Sequence, residues 1–420
     1  MNIIERDIEL AIIGGGPAGL AAAIAAKQAG IKEPLIIERN EYIGGILGQC
    51  IHDGFGLEIF KKSLTGPEYL DIYDREAKKL GISYMLNSMV TELTPNKDLL
   101  VINRDGVHRL HAQAVILAMG CRERTRDSIG IPGTRPAGIF TAGTAQYFVN
   151  IRNYMVGTKI VVLGSGDIGL IMARRLTLEG AKVLAVVEKL PYPSGLPRNV
   201  SQCLDDYEIP LLLSHTIIEI KGKKRVTGVT VARVDHDFSL IPRTEIDISC
   251  DCLILSVGLI PENELSQKAG VLLDPITGGP VIDNKLQTTV EGIFAAGNVL
   301  HVHDIVDWVS IEASQAGKNA AEYIKTSKKK RAKKSAPIKI KTGKGIKYVL
   351  PQLIHTDQDT DMYLRVKEPT KDIYIEIVAN GKCIKKVKQR IVHPSVMVRL
   401  FLASEQLPRQ GELIFQLQEK

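Results

Sequence analysis

Two segments of this chain carry glycines in the same spacing, G-x-G-x-x-G, between a predicted strand and a predicted helix. In such a loop the first glycine allows a tight turn, and the second lets the backbone approach a pyrophosphate. The third glycine lets the helix pack closely on the strand. An acidic residue follows each copy at the same distance and is suited to accept hydrogen bonds from ribose hydroxyls. The positions are Gly14, Gly16, Gly19 and Glu38 in the first copy, and Gly164, Gly166, Gly169 and Glu188 in the second.

The elements around the glycines are those that such a loop needs. A helix after the loop points unpaired N–H groups and a partial positive charge at a bound phosphate. Two sites of this kind in one chain predict an enzyme that passes electrons between two bound cofactors. The predicted helices are Leu20–Ala29 and Leu170–Glu179, and the predicted strands are Pro34–Ile37, Lys159–Leu163 and Lys182–Val187.

Length and composition indicate a globular protein with two or three domains. A chain of 420 residues corresponds to that number of domains, and a hydrophobic content of 45% is sufficient for hydrophobic cores. The six cysteines do not form the pattern of a disulfide framework, which favours a reducing, cytoplasmic location. No signal peptide and no stretch long enough to span a bilayer is apparent.

The order of motifs predicts an α/β chain of two Rossmann-like dinucleotide-binding domains of the three-layer ββα type, one inserted in the other. A small all-β domain is predicted to follow, because its short runs alternate polar and apolar residues. The predicted boundaries are 1–121 and 250–326 for the first domain, 122–249 for a connector and the second domain, 327–337 for a basic linker, and 338–420 for the β-rich domain.

The linker concentrates much of the positive charge, with six basic residues and no acidic one between Ser327 and Ser335. Two interpretations stay open: a solvated linker, or a patch for an anionic partner or a membrane surface. No aromatic residues are interleaved with the charges, so nucleic-acid binding is not predicted.

Taken together, these motifs resemble the two-dinucleotide-binding flavoproteins of the pyridine nucleotide–disulphide oxidoreductase superfamily. The resemblance covers about residues 7 to 326. It implies that the first copy holds FAD and the second NAD(H). Besides the glycine loops, the matching segments are Val115–Gly120, Ser256–Pro261 and Thr288–Asn298. The last segment normally ends in aspartate, and here Asn298 offers an amide to the same ribityl hydroxyls.

Carried over position by position, the resemblance implies two sets of contact residues. Those for FAD are Gly14, Gly16, Pro17, Ala18, Gly19, Glu38, Arg39, Gly45, Gln49, Val90, Gly120, Gly297 and Asn298. Those for the nicotinamide dinucleotide are Gly164, Gly166, Asp167, Ile168, Gly169, Glu188 and Gly258. Glu188 would repel a 2′-phosphate, which favours NAD over NADP, although Lys189 beside it weakens the argument.

A narrower resemblance is to the flavoprotein associated with bacterial anaerobic glycerol-3-phosphate dehydrogenase and to the α subunits of opine, proline and sarcosine dehydrogenases. It implies a dehydrogenase partner subunit. The matching segments are Gly44–Leu57, Leu64–Tyr69, Gly164–Arg175 and His301–Asp304. Two alternatives stay open: a self-sufficient NADH-dependent reductase or oxidase of a small acceptor, and a flavin-binding scaffold.

Few side chains suggest chemistry beyond the cofactors. No C-x-x-C motif is present, so disulfide reduction through a dithiol is not predicted. Cys50 and His52 are the candidate catalytic residues: a thiol beside the flavin and a proton donor, with a buried apolar thiol and a structural histidine as the alternatives. His301 and His303 are only two ligands, so no metal is predicted. Asp304 or Asp307 is expected to cap the helix predicted over Asp307–Lys325.

Overall fold

A computed structural model of the chain describes residues 3–327, 336–408 and 410–419. The basic run at 328–335 lies outside the described residues, so the charge patch stays a prediction. The chain forms two compact units. The first contains residues 1–48, 53–121 and 261–420, and the second contains residues 49–52 and 122–260.

The first unit begins with most of a seven-stranded sheet in the order β3-β2-β1-β6-β5-β4. The strands β1, β2, β3 and β6 are parallel, and β4-β5-β6 is an antiparallel meander. Strand β2 and the C-terminal parts of β1 and β6 are apolar because they are buried on both faces. The elements are β1 (Ile3–Ile13), α1 (Pro17–Gln28), β2 (Pro34–Ile37), α2 (Gly66–Lys79), β3 (Ser83–Met85), β4 (Met89–Leu93), β5 (Asp98–Asn103) and β6 (Gly106–Leu117).

Helix α2 begins in the Leu64–Tyr69 segment of the narrower resemblance. The Thr65 hydroxyl accepts a hydrogen bond from the Glu68 N–H, and the Glu68 carboxylate accepts one from the Thr65 N–H. This capping box satisfies N–H groups that a helix start leaves unpaired. Helix formation therefore accounts for these residues without a role in binding.

The second unit carries a five-stranded parallel sheet in the order β11-β10-β9-β15-β8 and a three-stranded antiparallel sheet, β12-β13-β14. The two short strands β7 and β16 contain boundaries between the units. The elements are β7 (Cys121–Glu123), β8 (Ile139–Thr141), α3 (Ala142–Asn150), β9 (Lys159–Leu163), α4 (Asp167–Leu178), β10 (Lys182–Glu188), α5 (Pro197–Cys203), β11 (Leu211–Leu213), β12 (His215–Gly222), β13 (Val226–Arg233), β14 (Ile246–Ile248), β15 (Cys252–Leu255) and β16 (Leu259–Pro261).

The compact units differ from the predicted domains in three places. Residues 49–52 and 250–260 lie in the second unit, and residues 338–420 belong to the first unit and do not form a unit of their own. The sequence places residues 250–260 with the first domain, but β15 pairs in parallel with β9 along its whole length. These strand hydrogen bonds make β15 part of the second sheet, and the second compact unit ends at Ile260.

The chain then completes the first sheet and adds a β-rich region. Strand β17 pairs in parallel with β6. Two further sheets, β20-β18-β25-β22-β23 and β19-β21-β24, contribute to one apolar core. The elements are α6 (Glu264–Lys268), β17 (Ile293–Ala295), α7 (Val306–Ser327), β18 (Ile338–Thr342), β19 (Ile346–Leu350), β20 (Leu353–Ile354), β21 (Thr360–Val366), β22 (Thr370–Ala379), β23 (Lys382–Val392), β24 (Val398–Leu402) and β25 (Glu412–Glu419).

Neither aspartate expected to cap α7 does so. Asp307 lies inside the helix, and its buried carboxylate accepts the N–H groups of Gly56 and Ile59. Asp304 accepts the N–H of Met397 from the β-rich region. Both carboxylates therefore hold other segments in place. Within the described ranges, no helix is both long and apolar enough to cross a membrane.

Candidate functional site

The first glycine loop joins β1 to α1 and requires glycine at two positions for packing. Gly14 has φ +108°, and a Cβ there would lie 2.4 Å from the Ala118 carbonyl oxygen. A Cβ on Gly19 would lie 1.9 Å from the Gly14 carbonyl oxygen. No side chain fits at either position, so these two glycines bring the helix start close to the ends of β1 and β6.

Gly16 is different, because the protein itself leaves space there. A Cβ on Gly16 would find its nearest neighbour, the Gly45 Cα, 3.9 Å away. Gly16 is the N-cap of α1, no side chain caps the helix, and the first turn holds Pro17 but no acid. Free N–H groups, a positive helix end and open space together fit a pyrophosphate. The site therefore fits the phosphates of a dinucleotide.

Glu38 follows β2 and is oriented by the same loop. The residue is 6% exposed, and its carboxylate accepts one hydrogen bond at each oxygen, from the Gly15 N–H at 2.7 Å and from the Asn40 N–H at 2.8 Å. Each carboxylate oxygen can accept more than one hydrogen bond. Glu38 therefore keeps acceptor capacity for ribose hydroxyls.

Three more residues of the predicted FAD set lie where distant segments return to this sheet. Gly120 follows β6, and Gly297 and Asn298 follow β17. The Asn298 Oδ1 accepts the N–H of His303 at 3.0 Å, and its Nδ2 lies 3.6 Å from the Cys121 sulfur. The amide is thus oriented with its oxygen toward His303.

Two members of that set differ from expectation. The Val90 side chain packs in the core with Leu93 and Val101, so only its main chain remains available to a cofactor. Gln49 belongs to the second compact unit, and its Nε2 donates to the Gly143 carbonyl oxygen and to Gln146 Oε1. Arg39 is exposed.

A buried polar cluster adjoins Asn298. The side chains of His301, His303 and Glu312 are 1%, 2% and 3% exposed. Burial raises the pKa of Glu312, but the two neighbouring histidines outweigh this effect and hold the pKa of the carboxyl well below its usual range. Burial, with a smaller contribution from the neighbouring His303, lowers the pKa of His301 to about 4, so His301 is neutral near pH 7.

The β-rich region supplies the outer part of this cluster. The Tyr348 hydroxyl lies 3.5 Å from His301 Nδ1 and accepts a hydrogen bond from Arg365 Nε at 3.1 Å. Arg365 also donates to the Val302 carbonyl oxygen at 3.1 Å. The C-terminal residues thus hold the loop that follows Asn298.

The second glycine loop joins β9 to α4 and repeats the packing of the first. Gly164 has φ +95°, and an added Cβ would lie 2.1 Å from the Ser256 carbonyl oxygen. On Gly169 it would lie 2.6 Å from the Ser256 Cβ. The Ser256 hydroxyl also accepts the Gly169 N–H. The loop therefore has the conformation that a second dinucleotide needs. Of the other predicted contact residues, Ile168 packs partly against the core and Gly258 has φ +102°.

The acid of this second copy is more fully engaged than Glu38. Glu188 is 5% exposed and accepts the N–H of Leu190 at Oε1. Its Oε2 accepts the N–H and hydroxyl of Ser165 and the hydroxyl of Ser194. A ribose hydroxyl that binds Glu188 must therefore compete with Ser194.

Asp167 at the start of α4 holds the same segment. Its Oδ1 accepts the Leu196 N–H at 2.7 Å and the Asn199 amide at 2.6 Å. Through Asp167 and Glu188, residues 194–196 are tied to the glycine loop. Spacing along the chain does not predict this, because Ser194 has no motif of its own.

The candidate catalytic cysteine lies in the second unit and is not a thiolate. Cys50 is 8% exposed, and its sulfur lies 3.7 Å from Gln146 Oε1. Burial raises the pKa of its thiol to about 12, although the hydrogen bond with Gln146 opposes this shift. His52 is half-buried two residues further on. The structure thus favours the buried-thiol alternative for Cys50.

Comparisons with known proteins agree with this arrangement. Residues 8–324 match the sequence profile of the family described as pyridine nucleotide-disulphide oxidoreductase. The ferredoxin–NADP reductase of Picrophilus torridus is 24% identical over 71% of this chain and 87% of its own. The hydrogen cyanide synthase subunit HcnB of Pseudomonas protegens is 27% identical over 62% of this chain and 58% of its own. The thioredoxin reductase structure from T. acidophilum superposes with a TM-score of 0.62 over 77% of this chain and 99% of its own, at 24% identity.

The family match spans both glycine loops and the segments that return to the first sheet. The solved structure supports the same two-domain fold, including both Rossmann-like sheets. The chain therefore belongs to the pyridine nucleotide–disulphide oxidoreductase family and is an NAD(P)-linked flavoprotein oxidoreductase, with FAD and a nicotinamide dinucleotide as its cofactors.

Proposed function

We propose that the protein is a self-sufficient NADH-dependent reductase in which electrons leave the flavin directly for a small external acceptor such as a quinone. The observation that carries this proposal is the state of the cysteines. None of the six is in a disulfide, and Cys50, Cys203, Cys250 and Cys252 are buried. A dithiol relay needs two neighbouring, accessible thiols, one of them ionised.

In this proposal the residues form two binding sites, one for each cofactor. The α1 N-terminus and Glu38 bind and orient FAD, and Asn298 offers its Nδ2 to the ribityl chain. The second loop and Glu188 bind NADH. When bound, FAD supplies the chemistry of accepting a hydride and passing electrons on. The protein positions the two cofactors and excludes water from their binding sites.

Two contacts in the second unit favour NADH over NADPH. Glu188 is an acidic residue at the position where a 2′-phosphate would lie. Lys189, the nearest basic residue in sequence, places its ammonium 4.1 Å from the centre of the Phe238 ring. This cation–π contact draws the Lys189 charge toward the ring rather than toward a phosphate.

Anaerobic titration of the purified protein with NADH tests the proposal. We expect flavin absorbance to bleach with about one equivalent of NADH and to return on addition of a quinone. Thioredoxin with a disulfide dye should not reoxidise the flavin. Failure of NADH to bleach bound FAD would contradict the proposal and favour the scaffold alternative.

A Cys50→Ala variant is expected to catalyse acceptor reduction at a rate within about twofold of the wild-type rate, because the Cys50 thiol takes no part in the reaction. Since burial raises the pKa of Cys50 to about 12, the thiol is protonated across neutral and mildly alkaline pH. Alkylation by iodoacetamide should therefore be slow throughout that range, with a rate that rises about tenfold per pH unit and shows no plateau, because only the small thiolate fraction reacts. Loss of turnover in this variant, with FAD content unchanged, would show that the Cys50 thiol takes part in the reaction.

A Ser194→Ala variant is expected to bind NADH more tightly. In the wild-type protein the Ser194 hydroxyl and the ribose hydroxyl compete for the same carboxylate oxygen of Glu188. Without the Ser194 hydroxyl, that oxygen is available to the ribose. A hydrogen bond to a charged group contributes about 1.5–3 kcal/mol, and recovery of part of it corresponds to about a 3- to 10-fold lower Kd. Ser201→Ala on the exposed face of α5 is the matched control. Unchanged or weaker NADH binding would show that Ser194 does not occupy the ribose position.

A second candidate is an electron-transfer subunit of a dehydrogenase complex. It is favoured by the β-rich region, which lies outside the family match yet contacts the loop after Asn298. The relatives described above support the superfamily but not the narrower glycerol-3-phosphate dehydrogenase resemblance. Purification from the native source separates the two candidates: a stable complex with a dehydrogenase subunit favours the second, and an active single chain favours the first.

A further inference from the structure

FAD and NADH binding do not account for the buried cluster of His301, His303 and Glu312. The histidines follow the turn at Gly297–Val299, and the glutamate lies on α7. Both imidazole Nε2 atoms point at one carboxylate oxygen, Glu312 Oε2, at 3.2 Å from His301 and 3.5 Å from His303. One ligand atom from each of the three residues lies within 4.8 Å of the others.

The protonation of His303 follows from its neighbours. The His303 main-chain N–H donates to Asn298, which identifies the accepting atom as the amide oxygen. The His303 Nδ1 lies 3.3 Å from that same oxygen, so Nδ1 carries a hydrogen. In the neutral ring Nε2 then has only a lone pair, and it is buried with no hydrogen-bond partner.

A lone pair that faces a buried carboxylate oxygen is costly unless a positive species lies between them. A proton on Nε2 would draw the two atoms to about 2.7–2.9 Å, the length of a charge-assisted hydrogen bond. The observed separation is 3.5 Å. Two ligands at about 2.0–2.1 Å from one tetrahedral metal ion lie about 3.3 Å apart. This value is close to the separations of Glu312 Oε2 from the two Nε2 atoms, 3.2 and 3.5 Å.

The surroundings match those of metal ligands. A histidine that binds a metal usually donates its other ring N–H to an oxygen that orients it. His303 Nδ1 faces Asn298 Oδ1, and His301 Nδ1 faces the Tyr348 hydroxyl. The second carboxylate oxygen, Glu312 Oε1, accepts the Gly297 N–H at 2.7 Å. Every ligand side chain is thus held by an outer contact.

From this geometry we propose a divalent transition-metal site formed by His301 Nε2, His303 Nε2 and Glu312 Oε2. Two imidazoles and one carboxylate suit Zn²⁺ and its neighbours Fe²⁺ and Co²⁺ better than Ca²⁺ or Mg²⁺. The sequence alone predicts no metal, because Glu312 has no spacing signal that joins it to the histidines. The bound ion would tie the loop that carries Asn298 to α7.

Metal analysis of the full-length FAD-containing protein tests the site without reference to activity. We expect about one equivalent of Zn²⁺ or Fe²⁺ per chain after purification without chelator. After chelation, titration with Co²⁺ should restore one equivalent and produce the visible bands of a low-symmetry site with nitrogen ligands. A wild-type protein that holds less than about a tenth of an equivalent and takes up no Co²⁺ would overturn the proposal.

Variants assign the ligands. Glu312→Gln and His303→Ala should each lower metal content at least about tenfold. Loss of a residue that only orients a ligand already weakens metal binding about 10- to 100-fold, and loss of a ligand itself should weaken it at least as much. His236→Ala removes an exposed histidine from the second unit and should keep the wild-type metal content. If the buried variants do not fold, the Co²⁺ spectrum of the wild-type protein decides, since sulfur or all-oxygen ligation would exclude this site. Wild-type metal content in both folded ligand variants would also overturn it.

Discussion

A Gly16→Val variant is expected to purify as a folded protein that lacks FAD. The Gly16 backbone has φ −75° and ψ −171°, which any residue can adopt, and an added Cβ meets only the Gly45 Cα at 3.9 Å. The fold therefore has room for a Cβ at this position. The space that valine fills is the space that the pyrophosphate needs at the helix N-terminus. FAD content should fall at least about tenfold, which corresponds to about 1.4 kcal/mol or more of binding free energy.

The measurement is the ratio of flavin to protein absorbance, with circular dichroism to verify the fold. Gly48→Ala is the matched control, because an added Cβ there meets nothing within 4 Å and the residue is not part of the glycine loop. It should keep wild-type FAD content. A Gly16→Val protein with full FAD would mean that the phosphates do not approach this helix end.

The second large effect is expected from the pair Glu38→Ala and Glu188→Ala, because each acid serves a different cofactor. Glu188→Ala should keep its FAD but lose about 100-fold in kcat/KM for NADH, or about 2.7 kcal/mol. The variant removes an acceptor for the ribose and also leaves the donors of Ser165 and Ser194 without their partner. Glu38→Ala should show the reverse pattern, with loss of FAD.

Each variant is the control for the other, since both remove a buried glutamate from the same kind of loop. FAD content by absorbance and NADH consumption under anaerobic conditions separate the two losses. Glu188→Gln adds a further control, because its amide preserves the shape of the site while it removes the charge. If Glu188→Ala loses FAD as readily as Glu38→Ala, the assignment of the two loops to two cofactors is wrong.

Much of the fold could be predicted from the sequence because its signals are local. Strands β2 and β9 have the predicted bounds, and helix α7 differs from its predicted range by one residue at the start and two at the end. Apolar runs that end in glycine identify buried parallel strands. The glycine loops were likewise predictable, since the turn, the phosphate approach and the helix packing depend on neighbouring residues.

The sequence predicts less about the site where contacts between residues distant along the chain determine the chemistry of a side chain. Cys50 was a reasonable candidate by position, but its burial beside Gln146 raises the pKa of the thiol far above neutrality. The sequence also does not indicate that Ser194 competes for Glu188. Both effects depend on desolvation and on hydrogen bonds between residues that are distant along the chain, which no local spacing encodes.

By itself the amino-acid sequence determined the two dinucleotide loops, their flanking strands and helices, the acid of each site and the lack of a C-x-x-C motif. Only the tertiary structure decided which side chains share a buried space. It set Glu312 against His301 and His303, set Tyr348 and Arg365 beside the loop that follows Asn298, and engaged Glu188 with four donors. Backbone geometry follows from nearby residues, whereas the protonation and ligand properties of a side chain depend on the polar groups and the burial that packing brings to it.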